Sequence, residues 1–238
     1  MNLLALDSSS AACSVAVICN GKVVSHSRSN METGHGSALV PLIRNTMVAS
    51  KIDFAQLNLV AVTTGPGSFT GLRISLSAAK GIALSMDIPL IGISCFEAIA
   101  QRTKNQVTIS ENDLLILALD SKREDFYLEC LSGCGTKIFD QNTLSLKELR
   151  HKIEEVCKPG KTIHIAGEAA SAVATELKKS KVRCLKILVG SCEGVDAVDI
   201  AQLADREARL PQNRKAKYNP GVKLHYHRKP DILLPGSR

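Results

Sequence analysis

The chain has 238 residues, of which 45% are hydrophobic, 22% charged and 3% aromatic, and its formal net charge is +7. This composition is typical of a globular protein, and no apolar run reaches the roughly 18 to 20 residues that a membrane-spanning helix needs. The first residues enter a strand-like pattern without a charged leader region, so we expect a cytoplasmic protein that is neither secreted nor inserted in a membrane.

The first half of the chain predicts a mixed α/β unit. Asn20 and Gly21 separate two apolar runs and are the residue pair that a type I′ hairpin turn favours, so we expect the chain to open with an antiparallel meander. Apolar spacing then predicts strands over 3–7, 13–19, 59–63 and 89–93, and helices over 37–48, 70–85 and 96–102.

The second half predicts a smaller unit of the same kind. Strands are expected over 114–120, 126–131, 163–166 and 185–189, and helices over 146–156, 168–178 and 197–210. Since each half begins with a hairpin and continues into mixed strands and helices, we predict a duplicated fold. We divide it into a first lobe at 1–106, a second lobe at 107–210 and a basic tail at 211–238.

The net positive charge is concentrated near the end of the sequence. Residues 205–238 hold nine Lys and Arg against three Asp and Glu. Such a tail could contact RNA phosphates or form an ordinary solvated surface, and both interpretations stay open.

Eight cysteines are spread along the chain without a CxxC pair, which argues against disulfides and zinc. We expect reduced thiols, most of them buried. Cys130 and Cys134 have a spacing that could hold a metal, but no second pair of Cys or His follows at a zinc-site interval.

A glycine-rich loop from Gly65 to Gly71 follows a predicted strand and opens a predicted helix. Its spacing is neither that of a dinucleotide fingerprint nor that of a Walker A loop, which needs Lys where Leu72 stands. Two interpretations stay open: an anion-binding loop that presents backbone N–H groups, and a tight turn in which Ser68 or Thr70 caps the helix.

Small residues recur four apart in the following helix, at Gly71, Ser75 and Ala79, with Ala78 beside them. Such a stripe lets another backbone come close. It could pack inside the lobe or against a partner helix.

The segment from Gly65 to Ile74 reads GPGSFTGLRI and resembles the signature of the TsaB (YeaZ) family. Supporting similarities lie at Leu4–Ser8, Ile91–Ser94, Asp120–Arg123 with Tyr127, and Arg228–Asp231, so the likeness extends over nearly the whole chain. The resemblance implies an actin-like ATPase-superfamily fold with a reduced second lobe. It also implies a non-catalytic subunit that supports a TsaD-type paralogue in forming N6-threonylcarbamoyladenosine on tRNA, with a TsaE-type ATPase joining them.

The resemblance places subunit contacts on the first lobe. We predict a heterodimer with the paralogue, a homodimer when the paralogue is absent, and tRNA contact that is indirect or made through the basic tail. We expect no tightly bound cofactor, and ATP or ADP only at the interface of the complex. The predicted contact residues are Gly65, Pro66, Gly67, Ser68, Phe69, Thr70, Gly71, Arg73, Ser75, Ala78 and Ala79.

Catalytic relatives hold a metal through two histidines four residues apart, whereas here His35 is followed by Leu39 at that spacing. We therefore predict no metal site and no catalytic residue. Asp7, Ser8 and Ser9 resemble a vestigial first phosphate loop, and Asp7 could equally be a strand-end residue held by turn N–H groups. In the second loop, Lys122 stands where a glycine would let a phosphate approach.

Two other functions remain as alternatives. Duplicated lobes and the Asp7 loop are compatible with an independent actin-like phosphotransferase. A metallopeptidase is the weaker alternative, because the sequence offers only a single candidate metal ligand. The lack of a G-x-S-x-G elbow also leaves a serine peptidase without support.

Overall fold

The computed structural model describes residues 1–179, 182, 184, 186–191, 193–210 and 221–224. Within these residues, ten strands form two five-stranded sheets with six α-helices around them. Most of the predicted tail 211–238 therefore lies outside the described residues, as does Leu185 of the last predicted strand.

The first sheet has the strand order β3-β2-β1-β4-β5. β1 pairs antiparallel with β2 and parallel with β4, with Leu4 opposite both Val17 and Val60. Its elements, in chain order, are β1 (Asn2–Ser10), β2 (Ala12–Cys19), β3 (Lys22–Asn30), α1 (His35–Ser50), β4 (Leu59–Gly65), α2 (Phe69–Met86), β5 (Leu90–Ser94) and α3 (Cys95–Gln106).

The second sheet repeats this arrangement with the order β10-β9-β6-β7-β8. Renumbered from its own first strand, this order is the same as that of the first sheet, so the predicted duplication is confirmed. Its elements are β6 (Leu114–Asp120), β7 (Phe126–Ser132), β8 (Lys137–Leu144), α4 (Leu146–Val156), β9 (Thr162–Ala166), α5 (Ala170–Lys178), β10 (Lys186–Val189) and α6 (Ala197–Ala208).

The predicted hairpin turn is present between β2 and β3. Asn20 and Gly21 both have positive φ, at 50° and 83°, as a type I′ turn requires. α3 is longer than predicted, because Ser94 and Glu97 form a capping box at its start and the helix continues through its polar end to Gln106.

Three clusters of buried side chains hold the molecule together. One lies under α1 and α2 on the first sheet, and another lies under α4 and α5 on the second. The third joins residues of both sheets to α3 and α6, with Phe96 fully buried in it. The two halves therefore share a core.

α6 follows β10 in the chain but packs on β1 and β2 of the first sheet. Its first turn is held there because Ser14 Oγ accepts a hydrogen bond from Ala197 N at 2.9 Å. The predicted range 107–210 for the second lobe thus includes a helix that lies against the first sheet, and the division at residue 106 stays a prediction.

Candidate functional site

The glycine-rich loop lies directly on the carboxyl end of β1. Ser68 caps α2 by accepting a hydrogen bond from Gly71 N at 3.2 Å, and its own N–H donates to Ser9 O at 2.7 Å. The Ser8 hydroxyl donates to Gly71 O at 2.7 Å. The loop and the end of β1 therefore form one hydrogen-bonded unit.

Two glycines in this loop are explained by close approach of backbone to backbone. A Cβ atom on Gly67 would lie 2.5 Å from Ser9 O, and a Cβ atom on Gly71 would overlap Ser8 O. No other residue type fits without moving one of the two segments. This geometry supports the tight-turn interpretation of the motif and does not require an anion.

Asp7, the central residue of the predicted phosphate loop, is fully buried. Its Oδ1 accepts hydrogen bonds from Thr63 Oγ1 at 2.7 Å and from Ser9 N at 3.1 Å, whereas Oδ2 has no hydrogen-bond partner among the described residues. Burial raises the pKa of this carboxyl group despite those hydrogen bonds. The enclosure of Asp7 therefore makes its ionised form less favourable than that of an exposed carboxyl group.

In the second predicted phosphate loop, Lys122 bonds to Asp120 of the same loop. Lys122 has a φ of 61°, the conformation that glycine adopts most readily, and its N–H donates to Asp120 Oδ1 at 2.7 Å. Its Nζ lies 3.1 Å from Asp120 Oδ2. This ammonium group is already paired where a phosphate would approach.

Glu168, between β9 and α5, adds negative charge at the junction of the two halves. Burial raises the pKa of its carboxyl group, the Lys122 ammonium lowers it, and the Asp120 and Asp7 carboxyl groups raise it further. A Cβ atom on Gly194 would crowd both Glu168 Oε1 and Ser10 Oγ, so both groups lie beside Gly194 at the junction.

These loops do not fit a magnesium-bound polyphosphate. The Ser8 hydroxyl is turned toward α2, the Asp7 carboxyl group is enclosed and bonded to Thr63, and a Glu168 carboxylate would oppose an anion. A polyphosphate site needs backbone N–H groups and ionised carboxylates free to face Mg²⁺.

The single histidine that resembles a metal ligand has a structural role. His35 Nε2 lies 2.9 Å from Ser10 O, and Leu39, at the position of the missing second ligand, is fully buried. Within the part of the chain that the structure describes, no group of three His, Cys, Asp or Glu side chains could hold a metal ion.

Cysteines in the described ranges are all free thiols. Burial raises the pKa of Cys13 to about 11 and that of Cys130 to about 12, which makes both unreactive. Cys134 is not among the buried thiols, because it lies exposed in the turn between β7 and β8.

The small-residue stripe of α2 packs inside the first half. Gly71, Ser75 and Ala79 are buried, and α2 contacts β1 and β4. Gly65 and Pro66 of the loop are buried as well. Of the two alternatives for the stripe, the structure shows internal packing, so these five residues offer no side chain to a partner.

The opposite face of α2 is exposed. Phe69, Thr70 and Arg73 of the predicted contact residues lie on it, as does the capping residue Ser68, and Gly67 and Ala78 are half-buried at its margin. The Arg73 guanidinium stacks on the Phe69 ring, 3.9 Å from its centroid. A shallow depression of about 370 Å³ beside them is lined by Phe69, Thr70, Arg73, Ile74 and Ser77.

Exposed apolar side chains concentrate on α1 and α2. Of the ten large hydrophobic side chains that are exposed in the described residues, five lie on these two helices. We call this surface the partner face; its apolar members, with their exposed fractions, are Val40 (63%), Val48 (72%), Phe69 (48%), Leu84 (63%) and Met86 (36%).

Several residues of the partner face were not predicted from the sequence. Ser77 and Gly81 are exposed one turn apart, so they are the small residues that would let a partner helix approach α2. Together with Arg73 and Leu84 they recur at helical spacing, and this spacing is visible in the sequence. The buried stripe has the same period, and the sequence alone does not tell which stripe faces outward.

Comparison with known proteins finds similarity to proteins that are named for tRNA modification. The family model "TsaD: tRNA N6-adenosine threonylcarbamoyltransferase" matches residues 23–181. The tRNA threonylcarbamoyladenosine biosynthesis protein TsaB of Buchnera aphidicola subsp. Schizaphis graminum is 37% identical over 115 residues, 46% of this chain and 54% of that protein. TsaB of Escherichia coli strain K12 is 33% identical over 129 residues, 53% of each chain. The chain thus spans about half the length of these relatives.

Solved structures share the fold over most of the chain. YeaZ from Pseudomonas aeruginosa superposes with a TM-score of 0.71 at 22% identity, covering 94% of this chain and 99% of that one. The activator of 2-hydroxyisocaproyl-CoA dehydratase from Clostridium difficile, with bound ADPNP, has a TM-score of 0.50 at 14% identity, covering 91% and 98%. The predicted actin-like two-lobe α/β fold is confirmed. In the described residues, no helix combines the length and apolar character needed to cross a membrane.

Proposed function

Because the chain belongs to the TsaD family, in its TsaB (YeaZ) branch, we propose that it is a non-catalytic subunit that binds and supports a TsaD-type transferase. The supported reaction is the formation of N6-threonylcarbamoyladenosine on tRNA. The transferase, in this proposal, supplies the catalytic groups, and this chain supplies a docking surface.

The observation that carries the proposal is the partner face. Five exposed apolar side chains on two adjacent helices are unfavourable in a lone protein, since removing each of them from water would lower the free energy. Ser77 and Gly81 leave the middle of α2 without bulky side chains, so a second helix can come close there. Phe69 and Arg73 supply the aromatic and guanidinium groups that protein interfaces favour.

A paralogue fits this face better than an unrelated partner. A related chain that keeps the same two helices would present a similar face, and two such faces can pack about an approximate two-fold axis. The same argument applies to a second copy of this chain. We therefore propose a homodimer when the paralogue is absent and a heterodimer when it is present.

The absence of independent catalysis is proposed from the loops at the junction of the halves. Asp7 is enclosed, Lys122 is paired with Asp120, and His35 contacts a backbone carbonyl. These contacts weigh against the phosphotransferase and metallopeptidase alternatives. We propose no tightly bound cofactor on this chain, and ATP or ADP only where it meets its partners.

The remaining parts of the proposal concern the wider assembly. A TsaE-type ATPase joins the two paralogues, and the complex works in the cytoplasm. The basic tail 211–238 contacts tRNA phosphates or leaves tRNA binding to the partner, and the salt dependence of tRNA binding with and without this tail separates the two.

Reconstitution of the reaction tests the function. The chain is mixed with its cognate TsaD-type paralogue, a TsaE-type ATPase, tRNA and a threonylcarbamoyl donor, and modified adenosine is measured by mass spectrometry. We expect no product from this chain alone and a strong dependence on it when the paralogue is present. Product formed by this chain without the paralogue would overturn the non-catalytic role.

A further inference from the structure

β5 forms one edge of the first sheet, and α2 covers little of it. α2 contacts β1 and β4 extensively but contacts β5 little. Parallel strands need cover on both faces, and an uncovered edge strand invites pairing with another chain. Leu90 of β5 is nevertheless buried to 4% exposure. Other residues must therefore help to cover this end of the sheet.

Residues 221–224 lie against the first sheet, on the face that α1 and α2 cover. Val222 packs against the core cluster beneath α1 and α2, the cluster that contains Leu90. Burial alternates along the segment: Gly221 and Lys223 are exposed, and Val222 and Leu224 are half-buried. Alternation with a period of two is the pattern of an extended segment with one side against a surface.

Gly92 makes room for this contact. A Cβ atom at Gly92 would lie 2.9 Å from Val222 Cγ1 and would also crowd Thr64 Cγ2. The methyl groups of Val222 and Thr64 therefore both border the space that a side chain at position 92 would fill. This close fit is the kind found in a packed core rather than in a chance surface contact.

We propose that residues 221–224 form a C-terminal strap that docks over β5 and completes the first half of the molecule, with Val222 as its anchor. The docking surface lies at Gly92 of β5, and its occupant is this chain's own segment. The strap covers the edge strand and packs on the cluster that also holds the buried side of α2. This inference does not rest on the proposed function, because it concerns contacts within one chain.

The strap places residues 221–224 on the first half and not on the second. Val222 and the buried side of α2 belong to the same cluster, so loss of the anchor would loosen the helix whose other side carries the partner face. The stability of that face is thereby coupled to a segment more than one hundred residues away in sequence.

Hydrogen exchange on the full chain tests the strap. Val222→Ser removes the anchor, Leu224→Ser removes the second inward side chain, and Lys223→Ser is the matched control on the exposed side. We expect the first two variants to speed amide exchange in β5 by about tenfold and to speed exchange in α2 as well, without affecting β6 and β9. The Lys223→Ser variant should match the parent chain.

Two outcomes would overturn the proposal. Unchanged exchange in β5 for both inward variants would show that the strap contributes no cover. Equal acceleration throughout both sheets would place Val222 in the global core, with no local strap. Binding to the paralogue does not enter this measurement, so its result is independent of the proposed function.

Discussion

Ser8 and Gly71 join the end of β1 to the first turn of α2. The Ser8 hydroxyl donates a hydrogen bond to Gly71 O at 2.7 Å, and the Ser8 carbonyl oxygen occupies the space where a Cβ atom on Gly71 would be. The glycine of the signature motif is therefore required by packing between two backbone segments.

This relationship predicts opposite effects for two glycines of the same helix. Gly71→Ala forces α2 away from β1 and should lower the free energy of unfolding by about 2 to 3 kcal/mol. Gly81→Ala should raise it by about 0.5 to 1 kcal/mol, since nothing lies within 4 Å of the added methyl group and alanine favours the helix. Urea unfolding of both variants measures the difference.

The two glycine variants distinguish a packing role of Gly71 from a role in ligand binding. A Gly71→Ala variant as stable as the parent chain would show that the close approach is not needed for folding, and the anion-binding interpretation of the loop would return.

Asp7→Asn tests whether the enclosed carboxyl group is needed in its ionised form. Burial raises its pKa in the folded state above its unfolded value near 3.8, so the folded state binds the proton more tightly and the parent chain loses stability as the pH rises above about 4. The neutral amide avoids this loss. We expect the melting temperature of Asp7→Asn to equal or exceed that of the parent chain at pH 8, whereas Asp7→Ala should melt lower.

A large fall in the melting temperature of Asp7→Asn would contradict this reasoning, since it would mean that a negative charge at this position is stabilising. Calorimetry with ATP and Mg²⁺ on the parent chain serves as the companion measurement, and we expect no binding there.

A second carboxyl group makes stability depend on pH at the junction of α3 and α6. Arg102 Nε lies 3.1 Å from Asp199 Oδ2, yet burial, together with the Asp196 carboxylate, raises the pKa of Asp199 to about 6. Because this value exceeds the unfolded one of 3.8, the parent chain loses stability as the pH rises from about 4 to about 6.

Asp199→Asn removes this contribution. The unfolding free energy of the variant, relative to that of the parent chain, should rise by on the order of 2 kcal/mol between pH 4 and pH 7. Urea titrations at several pH values measure it. A difference that stays constant over this range would show that the pKa of Asp199 is the same in the folded and unfolded states.

Local chemistry made part of the fold predictable. The Asn20 and Gly21 turn follows from the residues that tolerate positive φ, and the bounds of α4 follow from its apolar spacing and from Ser145 at its start. The common strand order of the two halves could be expected from the sequence of elements, since short connections leave few arrangements.

Long-range pairing was harder to predict. β8 was missed because Lys137–Leu144 lacks an apolar pattern of its own and becomes a strand by pairing with β7. α6 was placed with the second half because it follows β10, although its apolar face fits the first sheet.

The contact residues predicted on α2 are divided by the structure between its buried and its exposed face. Ser75 and Ala79 are small because β1 and β4 lie against them, whereas Ser77 and Gly81 are small and exposed. Both sets fit a close helix contact, and only the position of the sheet tells them apart.

Size-exclusion chromatography with light scattering tests the proposed partnership most directly. The chain is mixed with its cognate TsaD-type paralogue as the parent sequence, as Val48→Asp on the partner face, and as the control Val189→Asp on β10, where the side chain is 43% exposed. We expect a stable mixed complex for the parent chain and for Val189→Asp, and a loss of affinity of at least about tenfold for Val48→Asp. Separate elution of the parent chain and the paralogue, or a complex that Val48→Asp leaves intact while Val189→Asp breaks it, would contradict the account.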